Sequence, residues 1–236
     1  RVSSTVIDVQ ADPERGHALA ADAVQAGEVI VLPTDTVYGV GVNAFSGAAV
    51  QRLLDAKQRG RDMPPPVLVA EVAMVRSLAT GVDDRVLALA RAFWPGPLTL
   101  ILQAHDSLRL DLGDRTGTIA VRVPDHEFTR ELLRRTGPLA VSSANVSGRE
   151  AALTTTDAVD QLGESIAVYL DAGPASGPVA STIVDLSGTS ARILRAGRIS
   201  AEELNAVVPG LIDTEPAEAP TDEPAADAGE QQASGS

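Results

Sequence analysis

The chain has 236 residues, 44% of them hydrophobic and only 3% aromatic, so it can bury a real core, and that core must be aliphatic. The absence of cysteine excludes disulfides and thiolate metal sites and is compatible with a reducing compartment. The formal charge of −13 includes seven acids in residues 213–236, a stretch with no Lys or Arg; the body therefore carries −6, which argues against a broad nucleic-acid-binding face while leaving room for a small basic cleft.

Residues 14–27 have helical spacing through Ala18, Leu19, Ala23 and Val24 and stop at Gly27. Residues 28–32 read as a buried strand closed by Pro33. Val50, Leu53 and Leu54 give the next helix its stripe, and 67–70 is a strand. Residues 83–93 are helical until Trp94-Pro95-Gly96-Pro97 breaks the helix and feeds a strand over 98–102. A strand over 118–123, a helix over 125–135 and a strand over 139–142 follow. Further on lie a helix at 156–162 and strands at 167–170, 181–186 and 191–194. The last helix, 200–207, opens on Ser200 with Glu203 three residues later, a capping box.

Helices and strands mix without strict alternation after Leu98, which predicts an α/β sheet with some antiparallel neighbours. The expected organisation is one domain over 5–212 followed by an acidic, disordered tail over 213–236, too poor in apolar residues to offset its ordering entropy. No apolar run approaches a membrane span, and the first residues lack the apolar region of a signal peptide. The expectation is a cytoplasmic protein with no membrane contact.

Several segments carry chemistry. Among eighteen arginines the chain has one lysine, Lys57, and it sits in the densest cationic run, Lys57-Gln58-Arg59-Gly60-Arg61. A compact ammonium and a planar fork side by side suit a polyphosphate, although a helix end welcomes cations for its own sake. Pro33-Thr34-Asp35-Thr36-Val37-Tyr38-Gly39-Val40-Gly41 follows a buried strand, where α/β ligand sites form; its hydroxyls either serve a ligand or cap their own turn. Ser142-Ser143-Ala144-Asn145-Val146-Ser147-Gly148 also follows an apolar strand, and its hydroxyls and amide suit phosphate or ribose oxygens; it is not a Walker A loop.

Arg122 interrupts an apolar strand and must be paired there, either with an acid or with a ligand carboxylate. Arg195 ends another strand, and Ser181-Thr182 begins one. His17, His105 and His126 are scattered, without metal-ligand spacing. Asp35, Asp55 and Asp62 are acids near the cationic run that could help hold Mg²⁺, with nothing in their spacing to single one out.

Pro-Thr-Asp-Thr-Val-Tyr-Gly-Val-Gly, the Lys-x-Arg run, Trp-Pro-Gly-Pro-Leu-Thr, Ala-Val-Arg-Val-Pro, Ser-Ser-Ala-Asn-x-Ser-Gly and Ser-Thr-Ile-Val-Asp-Leu occur in that order over residues 15–200. In this ordered set the chain resembles the YrdC-like L-threonylcarbamoyladenylate synthases. The resemblance implies a twisted open mixed sheet with flanking helices and a concave cleft. It implies synthesis of threonylcarbamoyl-AMP from L-threonine, bicarbonate and ATP, with Mg²⁺, for a downstream tRNA threonylcarbamoyl transferase complex. Carried onto this chain, it implies ATP contacts at Lys57, Arg59, Thr118, Ser143, Asn145 and Arg195, with Lys57 and Arg59 catalytic. Threonine contacts fall around Thr34, Tyr38, Arg122, Ser181 and Thr182, and no protein metal ligand is implied.

The family pattern has proline after Lys-x-Arg where this chain has Gly60, so Arg59 and Arg61 compete with Lys57 and Arg59 as the phosphate pair. The segments 60–66 and 173–178 are candidates for a lid. The rival readings are an RNA-binding module using the same cleft and a relative that adenylates carbamoyl phosphate.

Overall fold

The computed structural model describes residues 4–114 and 117–213, whose elements follow one another as β1 (Thr5–Asp8), α1 (Pro13–Gln25), β2 (Ile30–Leu32), β3 (Gly39–Asn43), α2 (Gly47–Ala56), β4 (Val67–Leu68), α3 (Val75–Leu78), β5 (Ala79–Thr80), α4 (Asp84–Phe93), β6 (Leu98–Ala104), β7 (Thr118–Arg122), α5 (Glu127–Thr136), β8 (Leu139–Ser143), α6 (Thr155–Leu162), β9 (Val168–Asp171), β10 (Thr182–Asp185), β11 (Arg192–Arg195) and α7 (Ala201–Val207). The expected acidic tail lies outside the described residues, apart from Asp213. Among the described residues no helix is long and apolar enough to cross a membrane.

Local chemistry fixes the helix ends. Asp12 caps α1 by accepting from Arg15 N, with Pro13 in the first turn, where its missing N–H costs nothing. The capping box of α7 forms as the Ser200/Glu203 spacing predicts, and Thr154 with Asp157 makes a second one on α6.

The strands build one open mixed sheet in the order β1-β9-β2-β3-β8-β4-β7-β6-β10-β11, with β5 on the margin of β6. Parallel pairs (β1/β9, β2/β9, β4/β7, β6/β10) occur among antiparallel ones (β2/β3, β3/β8, β4/β8, β6/β7, β10/β11), which bears out the mixed sheet. On one face α2, α4, α6 and α7 bring Leu53, Leu54, Leu89, Leu162 and Leu204 against Val31, Val40, Leu100, Val121 and Val184, the larger core. On the other face α1 and α5 bring Ala20, Val24, Leu132 and Leu133 against Ile30, Leu32, Leu139 and Leu170. That second layer ends at β8 and β4.

Beyond it the same face of β7, β6, β10 and β11 presents Ala120 and Arg122, Thr99 and Ile101, Ser181 and Ile183, and Arg195. Alternation and register align these residues: Ile101 opposes Ala120, and Ile183 opposes both Thr99 and Arg195.

Four elements differ from the sequence reading, the short α3 and β5 among them. Residues 39–43 form a strand where a polar connection was expected, because glycines mask strand propensity. Here they are required by packing: a Cβ at Gly39 would lie 2.6 Å from Val141 Cγ1, and one at Gly41 would lie 3.0 Å from Leu32 Cδ2. The four-residue β1 was not anticipated; it is an edge strand with Val6 half exposed, held by parallel pairing to β9.

Candidate active site

The uncovered part of the sheet is the floor of a cleft. Its wall includes Gly39, Leu68, Ile101, Ala120, Val141 and Ile183, small or aliphatic side chains that leave room for a flat or apolar group. Around this floor stand the guanidinium groups of Arg59, Arg122 and Arg195 and the hydroxyls of Thr34, Thr36, Tyr38, Thr99, Ser142, Ser143 and Ser181. Segments as far apart in the chain as Thr34 and Arg195 meet here because β3, β8, β4, β7, β6, β10 and β11 are neighbours in the sheet.

Each arginine is held by its own partners. Arg59 follows α2 and donates Nη1 to Ser142 Oγ (3.1 Å) and Nη2 to Met63 O (2.5 Å); its Nε is buried with no hydrogen-bond partner. Arg122, at the end of β7, donates Nε to Gly96 O (3.0 Å), Nη1 to Thr36 Oγ1 (3.2 Å) and Nη2 to Asp35 Oδ1 (2.6 Å). Of the two ways open to a buried arginine, it therefore has the acid as its partner, and it still faces the cleft. Arg195 donates Nε to Ser181 O (3.0 Å) and Nη2 to Ser181 Oγ (2.8 Å), and Ser181 in turn meets Thr99 Oγ1 at 3.0 Å.

These cations feel one another. Desolvation lowers the pKa of all three; Arg122 and Arg59 lower that of Arg195 further, while Asp35 opposes the shift at Arg122. A wall of mutually repelling guanidinium groups with no carboxylate on the cleft surface is stabilised by any anion that enters.

Lys57 is placed differently. It is 2% exposed and is absent from the cleft wall. Its Nζ donates to Ser143 O, to Asn145 O (2.7 Å) and to Asn145 Oδ1 (3.3 Å), while its own carbonyl accepts from Ser147 N (2.8 Å). The lysine thus fastens the turn after β8 to the end of α2. Burial, and then Arg59, push its amine down to about 8. Asn145 completes the fastening by donating Nδ2 to Val146 O and Arg149 O, both at 2.9 Å.

The other expected residues separate into two groups. Thr34, Tyr38, Ser143 and Ser181 reach the cleft with Arg59, Arg122 and Arg195; Thr118, Thr182, Asn145 and Lys57 do not line it. Thr118 shares the cleft face of β7 but begins the strand whose far end carries Arg122. Thr182 points to the opposite side and exchanges hydrogen bonds with the backbone of Ile199 (2.7 and 2.9 Å). The Thr34 hydroxyl donates to Val37 O (2.6 Å) within its own turn. Tyr38 donates to Gly173 O (2.6 Å) and accepts from Ala172 N (3.0 Å). Ser143 Oγ makes no hydrogen bond to another described residue.

Arg61, the alternative to Lys57 in the cationic pair, is turned away from the cleft toward Asp111, Asp114 (3.3 Å) and Gln51 (3.1 Å). Asp35 is tied to Arg122, and Asp55 accepts from Gln51 Nε2 (2.8 Å). Among the described residues no group of three acidic or histidine side chains could hold a metal ion. The segment 173–178 is tied to the site through Ser176, whose hydroxyl donates to Asp35 O (2.7 Å) and accepts from Arg198 Nη2 (2.9 Å).

Sequence reading missed Thr36, Ser142, Thr99 and the Gly96 carbonyl. All four sit in motifs already singled out, Thr99 and Gly96 in Trp-Pro-Gly-Pro-Leu-Thr. Gly96 serves through its backbone, for which no side-chain signal exists.

A family profile named Sua5_yciO_yrdC and described as telomere recombination matches residues 22–197. A Mycobacterium leprae protein is 51% identical over 209 residues, covering 86% of this chain and 95% of its own length, and is provisionally named threonylcarbamoyl-AMP synthase. A Bacillus subtilis protein named threonylcarbamoyl-AMP synthase is 35% identical over 193 residues, 81% of this chain and 56% of its own. The crystal structure of Pyrococcus abyssi Sua5 complexed with L-threonine superposes with a TM-score of 0.80 at 30% identity; it covers 89% of this chain, which spans 61% of that protein.

Proposed function

The chain belongs to the Sua5/YciO/YrdC family, and from that premise we propose that it is a threonylcarbamoyl-AMP synthase, with residues 5–212 as the catalytic unit. The reaction joins L-threonine, bicarbonate and ATP into threonylcarbamoyl-AMP and releases pyrophosphate and water. The observation that carries this reading is the convergence of Arg59, Arg122 and Arg195, with a ring of hydroxyls, on one small-residue sheet floor. Such a site suits a ligand that is anionic at several points and flat at one.

The neutral threonine amine attacks CO₂ or bicarbonate to give an N-carboxylate. A carbamate oxygen then attacks the α-phosphorus of ATP, and the bond to pyrophosphate breaks. No covalent bond to the protein is required; positioning and charge stabilisation lower the barrier. Arg59 and Arg195 are the groups for the phosphates, and the unpartnered Arg59 Nε–H is a donor still to be satisfied. Arg122, steadied by Asp35, is the fork for the threonine carboxylate. Lys57 and Asn145 act through the turn they brace, which sets the Ser143 hydroxyl at the cleft. Because the cleft wall offers hydroxyls and guanidinium groups, Mg²⁺ would arrive on the ATP phosphates and water.

The product would pass to a tRNA threonylcarbamoyl transferase complex in the cytoplasm. The relatives' shared name favours this reaction over an RNA-binding module or a carbamoyl phosphate-dependent relative. Incubation with ATP, bicarbonate and threonine, with serine in a parallel reaction, tests it. Threonine-dependent pyrophosphate release is expected; release that needs carbamoyl phosphate, or no release, would overturn it.

A further inference from the structure

The reaction proposed above begins with an amine that must lose a proton, and the cleft wall holds no group to take it. Its polar side chains are threonines, serines, Tyr38 and three arginines. Tyr38 is no candidate: desolvation raises its pKa, and its hydroxyl already donates to Gly173 O.

A second cavity adjoins the first and shares Thr34 and Tyr38 with it. Its wall has the opposite character, with Asp35, Asp125, His126 and Ser176 beside Arg198. His126 ends the segment that follows β7 and is the N-cap residue of α5. Neither ring nitrogen makes a hydrogen bond to the protein among the described residues; Nδ1 is buried and unpartnered. Asp35 is a poorer acceptor, because its Oδ1 already receives Arg122 Nη2 and Asp125 N (3.0 Å).

The charged and titratable groups around His126 are Asp35 and Tyr38 from the segment 33–39, Asp125 beside it, Glu127 on its own helix and Arg198 from the β11–α7 connection. His17, on the packed α1, binds Phe128 O (2.9 Å) instead. Burial lowers the His126 pKa against the pull of Asp35 and Asp125, which favours the neutral ring that can accept a proton.

The two cavities together match a zwitterion: three guanidinium groups on one side of the Thr34–Tyr38 partition, and on the other two carboxylates and an imidazole against the single guanidinium of Arg198. We propose that His126 is the proton acceptor for the substrate amine, an assignment that rests on the synthase reading. The amino acid's carboxylate faces the arginines, and its ammonium lies where the two cavities adjoin at Thr34 and Tyr38, on the side open to His126. One N–H bond of the ammonium breaks, the electron pair stays on nitrogen, and the proton passes to the imidazole. The imidazolium, beside Asp35 and Asp125, then returns the proton to water.

The test compares the wild type with His126→Gln, full chain, in threonine-dependent pyrophosphate release from about pH 5.5 to pH 9, with ATP affinity measured by calorimetry. We expect turnover to fall roughly 10²-fold with ATP affinity unchanged. The acid limb of kcat/KM for threonine should be replaced by a rise that follows only the amine's own ionisation. Added imidazole should restore turnover to His126→Gly, which separates lost chemistry from lost folding. Wild-type turnover with an unchanged acid limb in His126→Gln, or a His126→Gly protein that melts like wild type yet gains nothing from imidazole, would overturn the assignment. A wild-type protein without threonine-dependent release would instead sink the synthase reading.

Discussion

One face of the sheet is finished in two ways. Over β1, β9 and β2, α1 and α5 bury aliphatic side chains on aliphatic side chains. Over β7, β6 and β10 the same alternate positions carry Ala120, Arg122, Thr99, Ile101 and Ser181 around an open cleft. Backbone geometry is shared, but the dominant energy is not. The roofed half is driven by apolar burial, about 25 cal/mol per Å². The open half holds charges at fixed points on a rigid floor, each arginine oriented by two or three hydrogen bonds. A site needs the rigidity of the first half without its cover, and substitutions in the two halves should therefore fail differently.

Arg59→Ala should give the largest effect. Turnover is expected to fall by about 10²–10³-fold in pyrophosphate release, with the melting temperature almost unmoved. An active Arg59→Ala protein would erase the distinction between the halves on the functional side.

Arg122→Ala should break the division, because this side chain belongs to both regimes. Removing it strands the largely covered Asp35 carboxylate, which costs up to roughly 3–5 kcal/mol, and the threonine KM should rise as well. Urea unfolding and steady-state kinetics on the same preparation check the pair. An unchanged KM would make Arg122 a structural arginine alone.

Leu132→Ala, under the roof, should cost about 2–5 kcal/mol of stability while the folded fraction keeps its turnover. Loss of specific activity below the melting transition would mean that the roofed half also shapes the site.

The smallest effect concerns Lys57, whose amine burial brings to about 8 from an ordinary value of 10.5. Between those pH values the unfolded chain holds a proton that the folded chain has released, so stability rises with pH across this window and is flat below it. Relative to Lys57→Met, the wild type should therefore gain stability from pH 8 to 10.5. As the chain's sole lysine, its Nζ can be followed as a single NMR resonance after lysine labelling; titration near 10.5 would contradict the burial.

Much of the fold was legible in the sequence because its signals are local. The stripe of Leu132 and Leu133, the Ser200/Glu203 box and the break at Trp94-Pro95-Gly96-Pro97 need only neighbours along the chain. The strand at 39–43 was illegible for the converse reason: its glycines report on the closeness of Val141, a hundred residues away. The site divides in the same manner. Lys57 and Arg59 are two residues apart and look alike as cations, yet one is sealed among carbonyls and the other faces the cleft. His126 stood in the sequence as a scattered histidine.

By itself, then, the sequence determined the residue chemistry, the order of motifs and most of the elements, because side-chain type and short-range periodicity reside in the chain. Only the tertiary structure decided which cations face one another, which hydroxyls are occupied by their own turns, and which half of the sheet stays uncovered. Those outcomes depend on strand order and register, which bring together residues that no linear spacing relates.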